Sequence, residues 1–194
     1  VAVSPLVLDP EVQRRPLTRA LYDDLVSRGA FDGEPVELIE GELITMAPQG
    51  EPHASAVDLL SWRLDRSLMA THGEAYRIRQ EKPFAASDRS EPEPDIVVID
   101  AAMAVWGAPH PSWAHLVVEV AESSLGFDLR HKPRVYAGSS VPVYWVVDVV
   151  RRRTTVHREP RPGADPHYQD VVTVPFSMDL AVLEITLRLD DILR

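Results

Sequence analysis

The chain has 194 residues, 45% of them apolar and 26% charged, and a formal net charge of −10. That length supports one domain with a substantial core, and the balance is that of an ordinary soluble globular protein. The acidity argues against a general nucleic-acid binder with a basic footprint, the lack of cysteine excludes disulfides and thiolate zinc sites, and no apolar run approaches the roughly 20 residues that span a bilayer.

Residues 1–17 are Pro-containing and aperiodic and predict an extended N-terminal arm, with residues 18–194 forming a single domain. The arm lacks the basic-then-apolar layout of a signal peptide, which fits a cytoplasmic location. TRALYDDLVSRG predicts a short helix with Thr18 as N-cap and Gly29 as stop. VELIEGELITM predicts a hairpin turning at Glu40-Gly41, where Gly supplies positive φ. Ile39 then opposes Glu42, and Glu37 opposes Ile44. Side chains alternate with period 2, so Glu37 and Glu42 share a face, either solvated or lining a cleft.

From His53 to about Thr71, Ala56, Leu59, Leu60, Leu64 and Leu68 recur at helical spacing. AYRIRQEKPF alternates as a strand does, and AASDRSEPE is a polar loop. DIVVID, HLVVEVA and VYWVVDV are short continuous apolar runs, the mark of strands buried on both faces. Between the last two, Phe127 to Gly138 predicts a helix. Pro133 is comfortable only in a first turn, so regular helix should begin near His131 or Lys132. Strand, crossover helix and strand make a βαβ unit with parallel strands and a right-handed connection. RRRTTVHRE, YQDVVTV and EITLRLDDIL predict further strands, with EPRPGADP as a loop.

Asp95 starts one buried strand and Glu119 lies near the far end of another. Buried carboxylates are rare unless paired or bound to metal, and a lysine, Lys132, follows on the crossover helix. Either acid alone reads as a satisfied structural group; the pair with a lysine suits a hard cation beside a phosphate. Oxygen donors without cysteine favour Mg²⁺ or Mn²⁺ over zinc. The histidines show no HExxH spacing, and there is no GxSxG elbow, Walker loop or GxGxxG. Ser123 and Ser124 read as turn or helix-entry residues. Between Arg130 and Arg161 stand eight Lys/Arg against two acids, either a solvated basic hairpin or a phosphate contact.

EPEPDIVV, LVVEVAESSL, Asp128-x-x-x-Lys132-x-x-x-Tyr136 and VPVYWVVD together resemble the Uma-type restriction endonuclease family, a bacterial branch of the PD-(D/E)XK nuclease superfamily. The resemblance covers roughly residues 18–160, including VELIEGELITMAP and His53. It implies an α/β, restriction-endonuclease-like fold: a central mixed sheet flanked by helices, with an αβββαβ core, an added N-terminal helix and hairpin, and extra C-terminal strands. Pro94-Asp95 matches the "PD" and Glu119 the "(D/E)". Ala121 stands where E-x-K has its lysine, and Lys132 on the following helix takes that place in this branch.

The resemblance implies metal-dependent hydrolysis of DNA. Asp95, Glu119 and the Val120 carbonyl hold Mg²⁺ or Mn²⁺, and Lys132 aids water activation. Glu37, Glu42, His53, Asp128 and Tyr136 support the site, with a weaker contribution from Gln80 and Lys82. Arg151, Arg152 and Arg153 meet the nucleic-acid backbone. A homodimer fits the two cuts that a duplex needs. A catalytically inactive nuclease-fold module for binding or oligomerisation is the alternative, favoured by the acidity and by Ala121.

Overall fold

The three apolar runs pair edge to edge in a six-stranded sheet, in a computed structural model that describes residues 14–46 and 48–193. In chain order the elements are α1 (Arg19–Ser27), β1 (Val36–Ile39), β2 (Glu42–Thr45), α2 (Glu51–His72), β3 (Tyr76–Gln80), β4 (Ile96–Asp100) and β5 (Leu116–Ala121). Then follow α3 (Leu125–Arg130), α4 (Lys132–Gly138), β6 (Val143–Asp148), β7 (Arg153–Arg161), β8 (His167–Pro175), β9 (Asp179–Val182) and β10 (Ile185–Arg188). The large sheet has the order β3-β4-β5-β6-β7-β8. Only β5 and β6, joined through α3 and α4, are parallel; the other neighbours are antiparallel.

β5 is buried at every position, as expected for a strand covered on both faces. Leu116, Val118 and Val120 face one layer with Val98, Trp145 and Val147. Leu60, Leu64 and Leu68 of α2 and Leu180, Ile185 and Leu187 of the β9–β10 hairpin close that layer. Val117 and Ala121 face the other layer with Phe84, Val135, Tyr136 and Tyr144. Glu119 lies between Val117 and Ala121, so strand alternation turns it toward α4.

The β1–β2 hairpin forms in the expected register, Ile39 opposite Glu42 and Glu37 opposite Ile44. Both turn residues have positive φ, 50° at Glu40 and 88° at Gly41, as a two-residue primed turn requires. Thr18 caps α1, its Oγ1 accepting from the Leu21 N–H. The crossover departs from the expected single helix. It is two short helices broken at His131, and Pro133 stands in the first turn of α4, where its missing N–H costs no helical bond.

Two further departures lie at the C-terminal end. EPRPGADP is not all loop, because β7 continues to Arg161 through Glu159 at positive φ. β9 is a strand that the sequence pattern does not mark. Its hairpin turn is Leu183-Glu184, both at positive φ (48° and 59°). Such turns normally carry Gly or Asn, so no turn signal separates β9 from β10. The arm expected over residues 1–17 lies mostly outside the described residues; from 14 to 17 the chain reaches the hairpin, the Leu17 N–H donating to the Gly41 carbonyl.

Glu91 sits beneath this hairpin, 3% exposed, its nearest cation being Arg19 at 3.7 Å. Burial and the neighbouring Asp23 push its carboxyl up to about 7, against the pull of Arg19. A folded-state pKa above the unfolded one leaves stability intact at acidic pH and withdraws it as the group ionises. Stability should therefore fall as pH rises from about 4.5 to about 7, and Glu91→Gln should flatten that slope in urea titrations. Leu64→Ala, at the α2–sheet contact, should cost about 2–5 kcal/mol in the same assay.

Candidate active site

β4 and β5 run antiparallel, with Ile96 opposite Val118. Asp95, just before β4, therefore meets the end of β5 that carries Glu119. The N-terminus of α2 enters the same place, and His53 there lies 3.1 Å (Nε2) from Asp95 Oδ2. That oxygen also accepts the Val120 main-chain N–H at 2.6 Å. The open end of the β1–β2 hairpin covers the other side and brings in Glu37.

Lys132 is the first residue of α4 and is 1% exposed. Its Nζ donates to Glu119 Oε1 at 2.9 Å and lies 3.3 Å from Glu37 Oε2 and 3.9 Å from Asp128 Oδ1. One turn further along α4, the buried Tyr136 hydroxyl donates to the same Glu119 Oε1 at 2.6 Å. Asp128 accepts from Ser124 Oγ, and the Asp128 carbonyl accepts from the Tyr144 hydroxyl at 2.9 Å. Glu37 Oε1 accepts the Glu93 N–H at 3.0 Å. The lysine of the crossover helix thus reaches the carboxylate at the end of β5.

The acids, Lys132 and His53 line a cleft of about 410 Å³. Its walls carry Glu37, Glu81, Glu93, Asp95, Glu119, Glu122 and Asp128 against Lys132 and His53. Burial pushes the Glu119 carboxyl well above its usual range, Lys132 pulls it back, and Asp95, Asp128 and Glu37 add to the rise. Asp128 is pushed up to about 6, first by burial, against Lys132 and the Ser124 bond. For Lys132, burial favours the neutral amine, but Glu119, Glu37 and Asp128 outweigh it and hold the ammonium protonated. His53 is lowered by burial and raised more by its bond to Asp95 and that residue's charge.

The cleft suits a hard cation in its donor chemistry. Glu37 Oε2 is buried without a hydrogen bond. Among the described residues, Glu119 Oε2 and Asp95 Oδ1 also make none. Oxygen donors in excess of cations are what Mg²⁺ and Mn²⁺ select. As placed, no three His, Asp or Glu side chains among the described residues stand close enough to enclose a metal, and Lys132 holds the carboxylates instead.

Several expected residues stand elsewhere. Glu42 shares a hairpin face with Glu37 but lies at the turn, away from the open end that lines the cleft. It is exposed and pairs with Arg14 at 3.2 Å. Val120 meets the site through its N–H, which is the contact to Asp95. Arg151, Arg152 and Arg153 are exposed in or beside the β6–β7 turn and do not line the cleft. Arg151 pairs with Asp148 at 3.3 Å, and Arg152 pairs with Asp190 at 2.6 Å and covers the Phe176 ring. Gln80 turns to Ser61 of α2, and with Lys82 lines a separate groove beside Trp62.

The sequence reading missed Glu81, Glu93 and Glu122. Glu93 and Glu122 lie within three residues of Asp95 and Glu119, but each by itself looks like any exposed glutamate. Ser124 takes the helix-entry place expected of it and adds a bond to Asp128.

A mixed sheet with helices on both faces, with acids on adjacent strands and a buried lysine, defines a restriction-endonuclease-like architecture. The family Uma2, described as "Putative restriction endonuclease", matches residues 21–190. The chain belongs to this family. Its structure is similar to the crystal structure of a protein from Anabaena variabilis ATCC 29413, described as a "putative nuclease belonging to DUF820". That likeness has a TM-score of 0.62 at 17% identity and covers 81% of this chain and 89% of the other. At that identity it establishes the fold. No curated protein matches the sequence. No helix among the described residues is long and apolar enough to cross a membrane.

Removing one partner of a buried ion pair leaves a charge uncompensated. Lys132→Met should lower stability by about 3–5 kcal/mol in urea denaturation at neutral pH. Adding Glu119→Gln should recover part of that loss, because one stranded carboxylate is then gone.

Proposed function

We propose that this chain is an endonuclease that hydrolyses DNA phosphodiester bonds with the help of Mg²⁺ or Mn²⁺. The observation that carries the reading is the 2.9 Å contact of Lys132 with Glu119, one strand from Asp95. It assembles two acids and a lysine from three separate parts of the chain. Asp95 and Glu119 hold the cation through the oxygens that lack protein partners, with Val120 contributing its main chain and Glu37 a further oxygen. Such a cation lowers the pKa of water and offsets the charge of the phosphate.

The chain's own groups do the remaining work. Lys132, kept protonated by its three carboxylates, donates to the attacking water or to a phosphate oxygen as negative charge develops there. It orients the water, and its protonated state suits that role better than accepting a proton. His53 and the Val120 N–H hold Asp95, and Tyr136 holds Glu119. The excess of carboxylates repels a polyanion from the bare cleft, so cation binding precedes DNA binding. A second copy supplies the second cut of a duplex.

A specific observation favours the alternative of a non-catalytic module: Lys132 already satisfies the carboxylates, and no three side chains enclose a metal as placed. Cation binding separates the readings, because a binding-only module has no need of it.

The test is a cleavage panel of single-stranded, duplex and branched DNA with Mg²⁺, Mn²⁺ or chelator. Cleavage should require the cation, and Asp95→Asn and Glu119→Gln should each lower it by about a hundredfold or more. Both variants should remain folded by circular dichroism, Glu119→Gln with a lowered melting temperature because it strips Lys132 of its nearest carboxylate. Cutting in chelator, or wild-type cutting by Asp95→Asn, would overturn the proposal.

A further inference from the structure

The two cleft carboxylates share a pattern of use. Glu119 receives both of its donors, Lys132 Nζ at 2.9 Å and the Tyr136 hydroxyl at 2.6 Å, on Oε1. Asp95 receives both of its contacts, His53 Nε2 at 3.1 Å and the Val120 N–H at 2.6 Å, on Oδ2. Among the described residues the second oxygen of each has no hydrogen-bond partner. A carboxylate free to rotate would offer either oxygen, or both. Two donors on one oxygen remove that freedom, because rotation would break two charge-assisted bonds at once.

Tyr136 is suited to this task. It is fully buried, its ring is packed against Phe84 and Tyr144, and its hydroxyl has one partner, Glu119. Lys132 is shared with Glu37 and Asp128, so its hold on Glu119 is divided. The tyrosine therefore fixes the side-chain torsion most directly.

We infer that Tyr136 is a positioning residue: by tying off Glu119 Oε1 it presents Oε2 as a single-oxygen ligand, and His53 does the same for Asp95. The inference rests on the proposed function, since it names which oxygens take the cation. Groups that orient a metal ligand typically contribute ten- to a hundredfold in affinity.

The experiment measures Mn²⁺ binding to the full chain, by calorimetry and by the spin-resonance line shape of the bound ion. Tyr136→Phe keeps the ring and removes the hydroxyl. Tyr168→Phe is the control, a buried tyrosine whose hydroxyl donates to the Val141 carbonyl at 2.9 Å outside the cleft. Tyr136→Phe should weaken Mn²⁺ about tenfold or more and change the line shape, and Tyr168→Phe should do neither. His53→Ala should weaken binding as well, with His53→Gln, which keeps a donor, restoring it.

Equal affinity of Tyr136→Phe and wild type overturns the positioning role while leaving the proposed function standing. So does an equal loss in Tyr168→Phe, which marks general softening of the fold. If Tyr136→Phe does not fold, the two His53 variants decide by the same measure: a loss that glutamine does not restore overturns the inference. No Mn²⁺ binding by wild type overturns the inference and the proposed function together.

Discussion

The buried ammonium of Lys132 is the constraint on which this structure turns. An ion taken out of water costs several kcal/mol, and only close carboxylates can repay that. Here they come from separate places: Glu119 from β5, Glu37 from β1 and Asp128 from α3. The lysine therefore holds a hairpin, a sheet strand and a crossover to one geometry. If any of these elements moved away, a buried charge would be left without its partner. Hydrophobic packing brings the layers together, but it is not directional. The ion cluster supplies the direction.

That cluster also sets the electrical character of the cleft. The cleft holds four buried carboxylates, Glu37, Asp95, Glu119 and Asp128, against one buried lysine, which three of them contact directly. Burial, with the neighbouring acids adding to it, raises Glu119 and Asp128, and Glu119, Glu37 and Asp128 keep Lys132 charged. Glu81, Glu93 and Glu122 at the walls deepen the negative potential. A polyanion gains nothing from such a surface by itself, whereas a small cation gains a great deal. The arginines after β6 do not reverse this, since Asp148 and Asp190 already engage two of them. Eight Lys/Arg in a stretch of sequence is thus a poor guide to a basic surface once the fold has supplied the acids.

Much of the framework was legible because local patterns carry it. DIVVID, HLVVEVA and VYWVVDV became central strands, Glu40-Gly41 became a turn, and Pro133 marked the first turn of α4. The β9–β10 hairpin escaped because Leu183-Glu184 turns at positive φ without Gly or Asn. The extent of β7 escaped because Glu159-Pro160 reads as a loop. In each miss tertiary packing overrides a local preference.

The sequence by itself determined which residues sit in buried strands, and hence that Asp95, Glu119 and Lys132 are costly to bury without partners. It also placed Asp128 and Tyr136 on either side of Lys132, and the motif set marked the family. Only the tertiary structure decided which of two hairpin acids reaches the cleft. Glu37 and Glu42 share a face by register, yet one is buried beside Lys132 and the other pairs with Arg14 in solvent. Only the fold showed that each strand carboxylate has one oxygen held and one oxygen without a protein partner. The reason is physical: periodicity specifies the side of an element on which a residue lies, but a distance between side chains depends on how separate elements pack.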